Sequence, residues 1–195
     1  LSSNLGLLAG TRDVIVLSPL LLPRHEALLA TVGLDVGIDH GVKKARDLEA
    51  HLPLVDLMGV RYLITVHTLD SPRLEKVLSG PVNVYRNSLA RDRAFLVGCT
   101  ESATGSEEAL SVLLSVDPRV TAVVEGEGVP CGPHPGAVYM VQHRPEEVRL
   151  HADLDREGLL VLTDTWYPGW TARVDGSLTP LHRVDVALRG VVVEP

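Results

Sequence analysis

A chain of 195 residues is long enough to form one large domain or two small ones. Its composition, 45% apolar and 22% charged, is that of an ordinary globular protein. A net charge of −7, without a run of lysines or arginines, argues against the basic surface that nucleic acids and anionic membranes require. No apolar run reaches the roughly 18 residues of a membrane-spanning helix.

The first half of the chain alternates between strand and helix patterns. Helices are indicated by apolar residues at helical spacing with glycine or proline at their ends, and strands by short runs of β-branched residues. In chain order, the pattern predicts a strand at 13–17, helices at 24–32 and 42–52, a short helical turn at 53–59, a strand at 61–66, a helix at 71–80 and a strand at 82–85. The helix at 71–80 is predicted from the capping signal of Ser71 followed by Pro72. The alternation predicts a small α/β part over residues 1–93.

The second half contains one predicted helix and is otherwise a succession of strands. The helix is predicted at 107–115 with Ser106 as its cap, and strands are predicted at 94–99, 147–153 and 158–165. The pair Asp175-Gly176 is a strong signal for a tight hairpin. Residues 94–195 are therefore predicted to form an antiparallel β-sandwich of the jelly-roll kind. Packed on the α/β part as one compact body, it would complete an α+β fold.

Motifs that would assign a reaction are missing from the sequence. The glycine-rich segment GEGVPCG at 126–132 lacks the following helix that a phosphate-binding loop needs. Cys131 and His134 have a spacing that metal ligands use, but no second pair completes a tetrahedral set. We therefore predict no catalytic residue, no metal site and no cofactor in this chain.

The two cysteines, Cys99 and Cys131, allow at most one disulfide. A bridge requires their Cα atoms to approach within about 7 Å, which the sequence does not determine. The plainer interpretation is two small apolar side chains in strands or loops. Both interpretations stay open at this stage.

The segment TDTWYPGWTARVDG at 163–176 concentrates three of the few aromatic residues, Trp166, Tyr167 and Trp170, around a Pro-Gly turn. One interpretation is a buried strand corner, because tryptophans on the inner face of a strand usually belong to a core. The other is a sugar-binding platform, in which Trp166 or Tyr167 stacks on a sugar ring while Asp164 and Arg173 donate or accept orienting hydrogen bonds. Alternation along the strand places Trp166 and Tyr167 on opposite faces, so at most one of them is expected to be exposed.

Several segments together resemble the C-terminal extracytoplasmic region of YfhO-type bacterial membrane proteins. The most specific are GLLVLTDTWYPGWTARVDG at 158–176 and TPLHRVDVALRGVVVEP at 179–195, which match the family's Tyr-Pro-Gly-Trp turn, Val-Asp-Gly hairpin and later Arg-Gly-Val strand. VDLMGVRYLITV at 55–66 and VYRNSLARDRAFLV at 84–97 extend the similarity over most of the chain. Asp92 and His25 depart from the pattern, where the family usually has a proline and an aromatic residue.

The resemblance implies that the chain is a fragment of a larger membrane protein, an extracytoplasmic accessory domain on the outer face of the bacterial cell membrane. YfhO-type proteins look like multi-spanning glycosyltransferases that use polyprenyl-phosphate sugars, and their catalytic residues lie outside the matched part. The expected partners are the protein's own transmembrane region and cell-envelope glycan. The alternative is a purely structural or partner-docking domain with no ligand of its own.

Overall fold

The computed structural model describes residues 22–35, 41–42 and 45–195, and it divides the chain into two units, Leu1–Arg91 and Asp92–Pro195. The strand predicted at 13–17 lies outside the described residues. Both units combine helices with mostly antiparallel strands, which confirms the α+β class. The jelly-roll arrangement of the second half stays a prediction.

In its described residues, the first unit contains three short helices and a three-stranded sheet. Its helices are α1 (Pro23–Thr31), α2 (Ala45–Ala50) and α3 (Leu52–Leu57), and its strands are β1 (Leu34–Asp35), β2 (Gly41–Val42), β3 (Tyr62–Thr65), β4 (Leu74–Leu78) and β5 (Asn83–Asn87). The sheet has the order β3-β5-β4 and is antiparallel, and β1 pairs with β2 separately. Helix α1 ends before Gly33, which has a φ of 73°, and α3 ends before Gly59, which has a φ of 71°, as the sequence predicts for both glycines.

The prediction of a helix at 71–80 is wrong, because half of this segment forms strand β4 and none of it is helical. The backbone N–H of Leu74 bonds to the carbonyl of Ser71 in a turn that contains Pro72, so the capping signal begins a turn and no helix follows. Pairing with β5 then holds the segment extended, and the ion pair between Glu75 and Arg86 spans the two strands. Tertiary pairing has overridden the local helix signal.

A buried carboxylate joins the elements of the first unit. Asp56, in α3, is buried, and its Oδ1 atom accepts a hydrogen bond of 2.8 Å from the side-chain amide of Asn87 in β5. Its Oδ2 atom pairs with the guanidinium of Arg73, which lies just before β4. The carbonyl of Asp56 also accepts a hydrogen bond from the backbone N–H of Arg91. A buried charge is tolerated when it is paired and hydrogen-bonded in this way.

The second unit consists of one helix and ten strands among the described residues. These are β6 (Ala94–Val97), β7 (Cys99–Ser102), α4 (Ser106–Leu113), β8 (Thr121–Glu125), β9 (Gly136–His143), β10 (Val148–Leu154), β11 (Gly158–Leu162), β12 (Ala172–Val174), β13 (Ser177–Thr179), β14 (His182–Val184) and β15 (Leu188–Val193). Six of them form a sheet of order β6-β11-β15-β14-β8-β7. The hairpins β9–β10 and β12–β13 are separate two-stranded sheets.

The two edge strands of the six-stranded sheet, β6 and β7, are consecutive in the chain and separated only by Gly98. A Cβ atom at Gly98 would lie 2.3 Å from the carbonyl oxygen of Pro133, so only glycine permits this close approach. The pair β7–β8 is parallel, unlike the all-antiparallel arrangement that the sequence predicts. Helix α4 connects these two strands, and parallel neighbours require a crossover of this kind.

Hairpin β9–β10 covers part of one face of the six-stranded sheet. A buried cluster of Leu96, Leu160 and Val193 contacts Leu150 and Ala152 of β10, among other partly buried residues. Burial alternates along β10 as its sequence predicts. All five residues of β11 are buried, which confirms the prediction of a central strand.

Cys99 and Cys131 form a disulfide, which decides between the two interpretations that the sequence left open. The bridge links β7 to the loop that precedes β9. The same loop is held by a hydrogen bond of 2.8 Å from the N–H of Gly132 to the carbonyl of Gly98. Thr100 adds two more, donating to the carbonyl of Val129 and accepting from its N–H.

Candidate functional site

The aromatic segment predicted as a site lies in the connection between β11 and β12. Pro168 and Gly169 form the predicted turn, and Gly169 has a φ of 100°, which glycine adopts without strain. The backbone N–H of Trp166 donates a hydrogen bond of 2.6 Å to the carbonyl of Ala187. The connection is therefore fastened to the turn between β14 and β15.

The turn between β14 and β15 has an unusual backbone. Asp185 and Val186 have φ values of 48° and 73°, in the left-handed region that β-branched residues seldom occupy. The side chain of Asp185 is buried, and its Oδ1 atom accepts a hydrogen bond of 2.8 Å from the N–H of Val123. The carbonyl of Val123 accepts a second one from the N–H of Asp185. These contacts, together with that of Trp166 to Ala187, hold the strained turn in place.

The strands joined by this turn place two arginines on one face of the sheet. Arg183 on β14 is directly opposite Arg189 on β15. The row continues on both sides, since Arg189 is paired with Leu162 of β11 and Arg183 with Glu125 of β8. Residues in direct register point to the same side of a sheet, so the two arginines and Glu125 form a transverse polar row.

Each arginine of the row is covered by a tryptophan. The guanidinium carbon of Arg183 lies 4.0 Å from the ring centroid of Trp166, and that of Arg189 lies 4.0 Å from the centroid of Trp170. Both distances fall within the range of cation–π attraction. We call these four residues the tryptophan–arginine corner. Arg183 also donates a hydrogen bond of 3.2 Å from Nη1 to the carboxylate of Glu125.

Arg189 is the most enclosed charge of the corner, with 8% of its surface exposed. Its Nε atom donates a hydrogen bond of 2.9 Å to the carbonyl of Thr165. Burial disfavours the charged form and lowers the pKa of Arg189 from its ordinary value, while the charge of Asp164 acts in the opposite direction. A guanidinium nevertheless stays protonated at neutral pH.

Asp164, one of the predicted site residues, is engaged on both of its oxygens. Oδ1 pairs with Nη1 of Arg93 at 2.5 Å, and Oδ2 lies 2.8 Å from Nε2 of His143. The backbone is linked at the same place, because the N–H of Thr163 bonds to the carbonyl of Arg93. Asp164 therefore connects the start of β6, the end of β9 and the aromatic segment. Both of its carboxylate oxygens are thus used in contacts within the unit, where the sequence had predicted a hydrogen bond to a sugar.

The other predicted site residues differ in how much of each side chain is exposed to solvent. Tyr167 is 53% exposed, whereas Trp166 is half-buried under Arg183. Arg173 is exposed and donates a hydrogen bond of 2.8 Å to the carbonyl of Gly176 in its own hairpin. The structure thus presents Tyr167 as the accessible aromatic ring of the segment. Whether any of these residues contacts a sugar stays a prediction.

Sequence reasoning missed the arginines and the histidine around the segment. Arg183 and Arg189 are equally spaced about Val186, so a hairpin centred on that residue would have placed them opposite each other. The sequence did not predict this hairpin, because its turn requires a positive φ at Val186 and β-branched residues seldom adopt one. Arg93 and His143 carry no local signal, since they meet Asp164 only in the folded chain.

Among the described residues, no group of three or more histidine, cysteine or acidic side chains is placed to hold a metal ion. None of the helices in that part of the chain has the length and apolar content needed to cross a lipid bilayer. No family model, curated protein or solved structure matches the chain. The similarity to YfhO-type proteins therefore rests on the sequence motifs alone.

Proposed function

We propose that this chain is an extracytoplasmic accessory domain of a YfhO-type membrane protein, and that it contacts cell-envelope carbohydrate through Tyr167. The observation that carries the proposal is the exposure of Tyr167 beside two tryptophans that are covered by arginines. An exposed tyrosine on a fixed backbone offers a flat apolar face and a hydroxyl group, the combination that sugar sites use.

The contacts made by the two tryptophans on either side of Tyr167 support this role. The hydrogen bond from Trp166 to Ala187 and the stack of Trp170 on Arg189 fix the backbone on both sides of Tyr167. A segment whose neighbouring residues are already held in place loses less conformational entropy on binding. A single stacking contact still has to offset the cost of association, so we expect a Kd on the order of 1 mM.

The disulfide supports the proposed location. Disulfides form and persist outside the cytosol, in the periplasm or at the cell surface, and are rare in reducing compartments. The bridge between Cys99 and Cys131 therefore agrees with a domain that folds on the extracytoplasmic side. The larger membrane protein and its glycosyltransferase activity belong to the proposal through the sequence resemblance.

The test is an NMR titration of the protein with neutral cell-wall sugars, read from the ring signals of Tyr167 and the indole signals of both tryptophans. We expect saturable shifts at Tyr167 that are lost in Tyr167→Ala. The matched control is Tyr62→Ala, which removes another exposed tyrosine and should leave the titration unchanged. The sugar contact is refuted if Tyr167 does not shift at roughly 50 mM sugar, well above the expected Kd.

A structural or docking role without a ligand is the second candidate, and the internal contacts of the corner favour it. Both tryptophans and Asp164 are engaged by side chains of the same unit. If the sugars leave Tyr167 unmoved while Trp166→Leu lowers the melting temperature, the segment acts in stability alone. Its partner would then be the protein's own transmembrane region.

A further inference from the structure

Within the described residues, the terminal nitrogens of Arg189 have no hydrogen-bond acceptor. Only its Nε atom donates a hydrogen bond, to Thr165, and within the described part of the chain Nη1 and Nη2 donate none. No carboxylate oxygen of the described residues lies within 4.0 Å of the guanidinium. Nine-tenths of the residue is buried.

Burying a guanidinium without a carboxylate is unfavourable unless something else compensates. The ring of Trp170 covers one face of Arg189 but does not engage its in-plane N–H groups. The carboxylate of Asp164 attracts the charge from a distance, but its two oxygens are bound to Arg93 and His143. Two adjacent donors of a fixed planar fork therefore remain unused.

The charged groups next to this fork are mostly paired with one another. Arg183 lies directly opposite Arg189, and its Nε atom is buried without a hydrogen-bond partner in the described residues. Arg93 is paired with Asp164 and Arg183 with Glu125, and the buried carboxylate of Asp185 lies in the adjoining turn. Among the described residues, Arg189 is therefore the arginine of this group that has no carboxylate within ion-pair distance.

We propose that Arg189 is an oxyanion-binding site, in which a carboxylate or phosphate group of a ligand accepts hydrogen bonds from Nη1 and Nη2. The planar fork of arginine matches two oxygens of such a group, and ionised acceptors form the stronger hydrogen bonds. Arg183 contributes charge from the opposite strand. The site goes beyond the proposed sugar contact and is independent of it, because an anion can bind Arg189 whether or not Tyr167 stacks on a sugar.

The test titrates the whole protein with sodium phosphate, with sodium glucuronate and with neutral glucose, at constant ionic strength maintained with sodium chloride. The readouts are the Nε–H signal of Arg189 and the indole N–H signal of Trp170. We expect both to shift saturably with phosphate or glucuronate and not with glucose. The arm that saturates at lower concentration identifies a phosphate or a carboxylate as the preferred group.

Arg189→Lys keeps the positive charge and removes the fork, so it should weaken the binding by at least about tenfold. Arg149→Gln is the matched control, because Arg149 is an exposed arginine of β10 paired with Glu147, and it should bind as the wild type does. Equal binding by Arg189→Lys would overturn the proposal, because the fork would then be irrelevant.

If Arg189→Lys does not fold, the proposal is tested by the melting temperature of the wild-type protein. Its melting temperature should rise with phosphate and not with chloride at equal ionic strength, because a ligand that binds only the folded state stabilises it. Absence of both the shift of Arg189 and the rise in melting temperature refutes the site. Shifts at Tyr167 with glucose would still stand, so failure of one proposal is distinguishable from failure of the other.

Discussion

Arg183 and Arg189 lie directly opposite each other on paired antiparallel strands, and each guanidinium has a tryptophan ring 4.0 Å away. Like charges in direct register destabilise a sheet. The tryptophan–arginine corner offsets this repulsion by cation–π attraction, and Glu125 adds a carboxylate next to Arg183. The two tryptophans of the aromatic segment therefore cover two like charges that face each other across paired strands.

The contact between Trp166 and Arg183 should be measurable as a coupling energy. In a double-mutant cycle of Trp166→Leu and Arg183→Met, followed by urea unfolding, we expect a coupling of about 0.5–2 kcal/mol. The control cycle pairs Trp166→Leu with Arg149→Met, and its effects should add within about 0.5 kcal/mol, because Arg149 is paired with Glu147 and shares no partner with Trp166. A coupling near zero in the first cycle would show that the stack contributes no stability.

The disulfide should stabilise the second unit. The cysteines are separated by 32 positions, and closing a loop of this length in the unfolded chain corresponds to about 3–4 kcal/mol. Reduction should therefore lower the melting temperature of the wild-type protein. The double variant Cys99→Ala, Cys131→Ala should melt at the lower temperature with or without reductant. A wild-type melting temperature that does not respond to complete reduction would contradict this expectation.

The hairpin β12–β13 should depend on glycine at position 176. Asp175 and Gly176 have φ values of 49° and 83°, the conformation of a two-residue turn with both central residues in the left-handed region. Gly176→Val should lower the free energy of unfolding by about 1–3 kcal/mol, because valine is strained there. Ser177→Val places the same side chain in strand β13 and should have little effect. Equal effects of the two changes would argue against strain at Gly176.

Glu108 should show a lowered pKa for a local reason. Its carboxylate accepts hydrogen bonds from the hydroxyl and the backbone N–H of Thr104, the hydroxyl being the larger cause, and these favour the ionised form. The stabilisation is present above the unfolded pKa of about 4.5 and is lost as the pH falls through the folded pKa. An NMR titration should find the pKa higher in Thr104→Val than in Thr104→Ser, which keeps the hydroxyl. Identical values in the two variants would rule out the side-chain hydrogen bond as the cause.

This same contact corrects the predicted helix cap. Ser106 is the first residue of helix α4, Gly105 occupies the capping position, and no side chain caps the helix there. Thr104, one residue earlier, reaches Glu108 in the first turn of the helix. The sequence predicted the helix itself within two residues at each end, but the capping contact depended on where the turn before it began.

Local signals were sufficient wherever a segment's own neighbours decide its conformation. Asp175-Gly176 forms the predicted hairpin because two adjacent residues tolerate positive φ, and β10 alternates because its pattern has a period of two. The burial of β11 followed from an apolar run too long for an exposed strand. In each case the conformation or the burial pattern is determined by residues that are close together in the sequence.

Only the tertiary structure decided which distant segments meet. Residues 74–78 form a strand because they pair with β5. Cys99 and Cys131 form a disulfide because the loop before β9 lies next to β7. The pairing of Arg183 with Trp166, and of Asp164 with Arg93, joins residues that have no relation along the chain. Such contacts depend on the free energy of the whole packed unit, in which burial and pairing outweigh the weak preferences of single residues.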